Sequence, residues 1–318
     1  MSDNIKNNIL LIGAGQMAYD YSKVLDSFQL SYSIIGRSRS SADKLSKKIN
    51  KKIYSGGVEN FLESSDIIYN TAIIAVGVGD LTKVARILIK NAIKDVLIEK
   101  PGGIDAKDIT SLAITAKKSS TNIYVAYNRR FYSSTIKAME IINNDGGLKS
   151  FKFDFSEWSS IVTSIHKNED ILRNWFLINS SHVIDLAFFI GGIPLEITSF
   201  NYSHLAWHPS GSVFTGSGIT NMDIPFSYHA NWNAPGRWSI EFFTERHRVI
   251  LCPLEELKIQ NHKSLTIEKV EIDNSKDKKY KPGLYLQVLS FIHEKSDLVK
   301  IEDHAKSLWY YSKINGNK

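Results

Sequence analysis

The chain has 318 residues, of which 43% are hydrophobic and 23% charged. That length exceeds one ordinary core and suits two domains of about 100 to 200 residues each, while the balance excludes a small stapled scaffold and wholesale disorder. The 39 Lys and Arg against 33 Asp and Glu leave a net charge of +6 that is spread along the chain. With no basic stripe, nucleic acid is a poor partner and an anionic small molecule a better one.

Cys252 is the single cysteine, so no internal disulfide and no cysteine-based zinc cluster can form, and a reducing compartment fits. The opening Met1 to Asn8 is polar with one lysine, and no segment nears the run of about 18 apolar residues that a membrane span needs. A cytoplasmic, soluble protein without a membrane partner is expected.

In chain order, Ile9 to Ile12 reads as a buried strand. It runs into Gly13-Ala14-Gly15-Gln16-Met17-Ala18, which matches G-x-G-x-x-G/A and opens a helix with an apolar face at Met17, Ala18, Tyr21, Val24, Leu25 and Phe28. Gly13 permits a tight turn, Gly15 lets a pyrophosphate approach the backbone, and Ala18 allows close helix packing, with the first helical residues Gln16 and Met17 beside the phosphates. The second strand, Tyr32 to Ile35, ends in Gly36-Arg37-Ser38-Arg39-Ser40. An acidic residue there would favour NAD; Arg37, Ser38 and Arg39 instead suit a 2′-phosphate, so NADP is expected, with NAD possible.

The third apolar run, Ala72 to Val76, brings Ala75 to the cofactor side, and a helical face follows from Leu81 to Ala92. Val96 to Ile98 then ends in Glu99-Lys100-Pro101-Gly102-Gly103. Strand C-termini face the ligand crevice of an open α/β sheet, so Lys100 projects where a nicotinamide ring lies. After a last strand, Ile123 to Ala126, comes Tyr127-Asn128-Arg129-Arg130-Phe131. Alternating strands and helices at this spacing predict a doubly wound, parallel Rossmann sheet.

The second half follows another plan. Of seven prolines only Pro101 precedes Pro194, and all six tryptophans lie at or beyond Trp158, which sets domains at 1–127 and 128–318. A helix near Ser133 to Asn143 leads to Phe151, Phe153 and Phe155, which alternate with polar neighbours and predict an α+β domain with a large, mostly antiparallel sheet. Strand-like runs recur at 196–202, 238–243, 247–251, 257–260 and 265–272, broken by turn-rich 209–218 and 234–236. Helices are expected at 180–190, 284–295 and 305–311, and Lys276 to Lys281 reads as a solvated loop. His204 and His208 have no acidic companion and no G-x-S-x-G elbow exists, so neither a metal nor a serine nucleophile is expected.

The phosphate loop, Glu99-Lys100-Pro101, Tyr127-Asn128-Arg129-Arg130-Phe131, His182-Val183-Ile184-Asp185-Leu186 and Pro282-Gly283-Leu284-Tyr285 together resemble the Gfo/Idh/MocA family of oxidoreductases over nearly the whole chain. The resemblance implies hydride transfer between a nicotinamide and a sugar carbon, with a proton moved on that carbon's oxygen. It makes Lys100 and His182 the acid/base candidates, gives Glu99 the task of orienting the lysine or meeting the cofactor, and suggests a cis bond before Pro101. It also implies a nucleotide-activated or acidic hexose, gripped near Tyr127, Asn128 and Arg129, with Arg130 free to pair with an acidic neighbour.

The family's aspartate four residues before the histidine is here Ile178, which leaves Asn179 or Ser181 to hold the substrate hydroxyl and Asp185 either to contact the imidazole or to satisfy backbone at the helix. Trp175, Trp232 and Trp238 offer faces for a sugar, with sheet core or a subunit contact as the equal alternative for each. The resemblance implies that this aromatic-rich sheet pairs faces in homodimers or tetramers. The alternative is a non-catalytic NADP-binding sensor or partner-binding subunit, for which Ile178 is the main support.

Overall fold

The computed structural model describes residues 8–166 and 168–316, so the polar opening stretch lies outside the described residues except for Asn8. The chain divides into two compact units: everything up to Tyr127 together with Leu284–Lys306, and Asn128–Gly283 together with the chain from Ser307.

The first unit alternates β1 (Ile9–Ile12), α1 (Gln16–Ser27), β2 (Tyr32–Ile35), α2 (Arg39–Ile49), β3 (Ile53–Tyr54), α3 (Val58–Glu63), β4 (Thr71–Ile74), α4 (Leu81–Lys90), β5 (Asp95–Glu99), α5 (Ala106–Lys117) and β6 (Asn122–Ala126). The strands β1, β4 and β5 are apolar runs because both sheet faces are covered by helices; all four residues of β1 are buried. Strand β1 pairs in parallel with β2 on one side and β4 on the other. The strand order therefore reverses at β1, the switch point where an open α/β sheet forms its ligand crevice.

In the second unit come α6 (Ser133–Asn144), β7 (Ser150–Asp154), α7 (Ser159–Ile165), α8 (Glu169–Arg173), a π-helical turn at Phe176–Ser180 and α9 (Ser181–Gly191). Then follow β8 (Pro194–Tyr202), β9 (Val213–Thr220), β10 (Pro225–Asn231), β11 (Ser239–Phe243), β12 (His247–Leu251), β13 (Lys258–Asn261), β14 (Ile267–Lys269) and α10 (Ser275–Lys279). The eight strands form one sheet in the order β14-β13-β12-β11-β7-β10-β9-β8, antiparallel except for the β7–β10 pair. The alternation of Phe151, Phe153 and Phe155 turns their rings to one face, where Phe153 meets Phe188 of the buried helix α9 at 5.5 Å between ring centres. Each such ring contributes roughly 1.5–3 kcal/mol by leaving water.

Two expectations change here. The stretch read as turn-rich, 209–218, contains most of β9. Its Gly216 and Gly218 serve close sheet packing, since a Cβ at either would run into the carbonyl oxygen of Thr198 or Glu196 on β8. Lys276 to Lys281 is likewise more than a solvated loop, because most of it forms α10, whose Asp277 accepts from the backbone N–H groups of Ser133 and Gly283, both at 2.8 Å.

The chain ends with α11 (Leu284–Ile292), β15 (Val299–Lys300) and α12 (Ile301–Asn315). An unbroken second domain at 128–318 is thereby corrected, because 284–306 belongs with the first unit. Strand β15 adds antiparallel to β6, and the apolar α11 packs on α1, with Tyr285 and Phe28 at 4.7 Å. A helix so apolar must bury its stripe, and α1 supplies the matching face.

Candidate functional site

The first unit holds a pocket of about 530 Å³ at the carboxyl ends of its strands. Gly13, Gly15, Arg37, Ser38 and Ala75 line it, whereas Gln16, Met17, Arg39, Glu99 and Lys100 do not. Gly13 has a φ of 134°, and a Cβ on it would run into the carbonyl oxygen of Ala75. Only glycine tolerates that turn. Gly15 differs, since a Cβ there would meet nothing within 4 Å, and it opens α1 without any side-chain cap. An open approach to the uncapped, positive end of a helix is a cradle for a diphosphate, so these residues fit a dinucleotide.

At the end of β2, Gly36 brings the chain close to Ala14. Arg37 Nη1 donates to Asp80 Oδ2 at 2.9 Å. Ser38 caps α2, accepting from the Ser41 N–H at 3.2 Å, while the exposed Arg39 stands 3.9 Å from Asp43 on its own helix. Of the three residues expected to grip a 2′-phosphate, two line the pocket, and both already have internal partners.

The Glu-Lys-Pro strand end is tied to the phosphate-loop helix. The buried Tyr21 of α1 donates its phenol to Glu99 Oε1 at 2.8 Å, and burial, followed by the Glu99 charge, raises the Tyr21 pKa well above its ordinary value. Lys100 is half-buried and the bond to Pro101 is cis; the N–H of Gly102 closes the turn on the Glu99 carbonyl at 3.1 Å.

The second unit has its own cavity, about 910 Å³. Arg129 and Asn179 line it, together with Glu157 and the tryptophans 158, 175 and 238. Arg129 lies over the Trp238 ring at 4.9 Å, a cation–π contact that orients the guanidinium. Glu157 is 8% exposed. It accepts from Asn179 Nδ2 at 2.9 and 3.1 Å and from Ser180 Oγ at 3.0 Å. Sequence reasoning missed Glu157, since nothing local marks a carboxylate that lies 22 residues from its partner.

Other expected substrate contacts are turned inward. Tyr127 is 1% exposed, with its ring against His304 in the first unit. Asn128 donates to the Pro282 carbonyl at 2.9 Å, and Gly283 leaves room for the Asn128 carbonyl oxygen, which explains the glycine at that position. Ser181 is fully buried and is not part of the cavity wall; only Asn179 of that pair reaches it.

His182 is also buried, its ring 6.1 Å from that of Trp238, which does line the cavity. Asp185 takes the Arg130 guanidinium in a bidentate bond, Nε at 2.8 Å and Nη2 at 2.6 Å, instead of contacting the imidazole. The planar fork of arginine matches both carboxylate oxygens, which one imidazole nitrogen cannot. Trp232 is core, stacked on Trp207 at 5.7 Å. His208 is core too, its pKa lowered by burial and its Nδ1 3.0 Å from the Gly211 carbonyl oxygen.

No protein-family model matches this sequence, and no curated protein matches it. Solved structures match it over nearly its full length. A UDP-N-acetylglucosamine 3-dehydrogenase from Acidithiobacillus ferrooxidans is 12% identical at a TM-score of 0.73, with 98% of this chain and 97% of that one covered. An NAD-binding oxidoreductase from Klebsiella pneumoniae is 14% identical at 0.76, covering 98% and 96%. A levoglucosan dehydrogenase in complex with NADH is 14% identical at 0.77, covering 97% and 96%. At these identities the likeness establishes a shared fold: a Rossmann unit and a unit built on a large, mostly antiparallel sheet.

Proposed function

We propose that this chain is an NAD(P)-dependent oxidoreductase acting on a sugar carbinol or its ketone, with NADP preferred and a nucleotide-activated or acidic hexose as substrate class. One observation carries the proposal: the open approach above Gly15 at the uncapped start of α1, beside a Gly13 that cannot hold a side chain. The full-length likeness to sugar dehydrogenases, one of them an NADH complex, supports it.

A bound nicotinamide supplies the hydride acceptor in oxidation and the donor in reduction. Gly13, Gly15, Gln16 and Met17 hold the diphosphate through the backbone, with Ala75 alongside, and Arg37, Ser38 and Arg39 hold the 2′-phosphate end. Glu99, fixed by Tyr21, orients the strand end that carries Lys100. Lys100 and His182 handle the proton on the reacting oxygen, one exchanging it with substrate and the other relaying it. Arg129 steers the anionic part of the substrate and Asn179 holds a substrate hydroxyl, while Asn128 and Ser181 support those positions from within the second unit.

The second unit takes the substrate and also joins copies of the chain into a dimer or tetramer, a role supported by the exposed Leu195, Phe200 and Tyr202 on edge strand β8. A lone cysteine suits a reducing, cytoplasmic setting.

The test is to follow the nicotinamide absorbance band with NADPH or NADP and a panel of nucleotide hexoses, uronates and free sugars. Turnover with at least one of them is expected. Tight NADPH binding without turnover on any sugar supports the sensor alternative, and full single-turnover transfer by Lys100→Ala and His182→Ala overturns their roles.

A further inference from the structure

Among the side chains of the second unit's cavity, Glu157 has the least obvious reason to be where it is. It lies three residues beyond the end of β7 and lines the cavity, yet it is nearly buried. A carboxylate at such a position needs hydrogen-bonding partners. Two of its partners are consecutive residues of one turn, the Asn179 amide and the Ser180 hydroxyl.

That turn is the π-helical segment Phe176–Ser180, which leads directly into α9. Its wider winding lets two adjacent side chains reach the same carboxylate, and π turns concentrate at functional sites. The glutamate is thus fixed in direction by a local departure from α-helical geometry.

The rest of the wall complements it. Trp158, Trp175 and Trp238 present aromatic surface. An acceptor at Glu157 matches a hydroxyl, and aromatic faces match the C–H surface of a pyranose. A carboxylate would repel a phosphate or uronate, so those groups belong by Arg129 and Arg237, which border the same cavity.

We infer that Glu157 is a specificity-determining residue that accepts hydrogen bonds from the ring hydroxyls of a sugar in this cavity, with Asn179 as its positioning residue. This rests on the sugar-oxidoreductase reading. Glu157 selects for hydroxyls at one edge of the ring and against a substrate that is anionic at that edge.

The test uses the full chain without cofactor and reads the quenching of tryptophan fluorescence by levoglucosan, UDP-N-acetylglucosamine and methyl β-D-glucopyranoside with its monodeoxy derivatives. Saturable quenching by at least one probe is expected, weakened about tenfold or more in Glu157→Gln, the usual cost of losing a hydrogen bond to a charged acceptor. Deleting the hydroxyl that meets Glu157 should weaken wild-type binding by a like factor and leave Glu157→Gln binding unchanged. Asn179→Ala should give a smaller loss for the same hydroxyl.

Circular dichroism and thermal melting check that the variants fold; if Glu157→Gln does not, the deoxy series on the wild type and on Asn179→Ala decides. No saturable binding of any probe, equal binding by wild type and Glu157→Gln, or a loss shared evenly by all deoxy probes would overturn the inference. Because the readout is binding without cofactor, it is independent of turnover. A chain that turns over a sugar with Glu157→Gln unimpaired sinks this assignment alone.

Discussion

Arg37 donates to Asp80 at 2.9 Å, joining the loop after β2 to the loop that precedes α4, with both residues on the wall of the first unit's pocket. A 2′-phosphate must therefore compete with Asp80 for the guanidinium. The pair is solvent-exposed, with side-chain exposures of 82% and 38%, and such pairs contribute about 0–1 kcal/mol. A doubly charged phosphate should win that competition, at some cost. Asp80→Asn is expected to tighten NADPH by up to about fivefold and leave NADH unchanged, while Arg37→Ala loses about tenfold for NADPH alone. Fluorescence titration with both nucleotides reads the ratio, and an Asp80→Asn ratio identical to wild type refutes the competition.

The two glycines of the phosphate loop should respond differently to the same added methyl. At Gly13 the backbone is in the left-handed half of the map and Ala75 blocks the Cβ, so Gly13→Ala is expected to destabilise the fold by about 1–3 kcal/mol. At Gly15 the backbone is extended and the space is open, so Gly15→Ala should melt within about 0.5 kcal/mol of wild type. Its NADPH affinity should nevertheless fall about tenfold or more, because the methyl occupies the path by which phosphate reaches the amides. Thermal melts and NADPH titrations separate the two effects; a Gly15→Ala protein that binds like wild type would show that nothing approaches there.

Tyr21 holds its proton more tightly in the folded chain, through burial first and the Glu99 charge second. The sign follows from linkage. A group whose pKa is raised on folding gives its full stabilisation below its unfolded value, about pH 10, and loses it as the pH rises further. Other tyrosines are raised as well, so the informative quantity is the difference between wild type and Tyr21→Phe. Near pH 8 the variant should be less stable by about 1–3 kcal/mol, because Glu99 loses its donor. By about pH 11 the gap should narrow. Urea unfolding at the two pH values checks this, and a constant gap would mean that the phenol does not titrate with folding.

Much of the first unit was legible because its determinants are local. Parallel strands buried on both faces read as apolar runs, and the phosphate loop is a short pattern with fixed neighbours. The second unit was harder, since its important pairs are distant in sequence or compete with nearer options. Glu157 finds Asn179 across 22 residues, and Asp185, three residues from His182, pairs instead with an arginine 55 residues away. Glycines at 216 and 218 suggested turns, whereas they serve close strand packing. The return of 284–306 to the first unit followed from a face on α1 that needed covering, which periodicity reveals without naming the partner.

Arg129 and Arg130 are neighbours with opposite assignments. Arg130 and Asp185 are only 13% and 6% exposed at their side chains and form a bidentate pair beside the Phe189 ring. Burial alone would lower the Arg130 pKa, but the Asp185 charge and hydrogen bonds outweigh it and the net shift is upward. Removing the arginine strands a buried carboxylate. Arg130→Ala is therefore expected to cost about 3–5 kcal/mol, and Arg130→Met combined with Asp185→Leu should recover most of that loss, since apolar groups of similar volume can replace a buried pair. Arg129 borders the cavity and rests on Trp238, so Arg129→Ala should cost about 0.5–1 kcal/mol in stability. Its effect belongs in catalysis: KM for anionic sugars should rise about tenfold with kcat nearly unchanged, the mark of a lost ground-state contact. Thermal unfolding and steady-state kinetics on both variants test the division. Equal destabilisation by the two alanines, or an Arg129→Ala enzyme whose KM is unchanged, would show that the cavity does not recognise its ligand through Arg129.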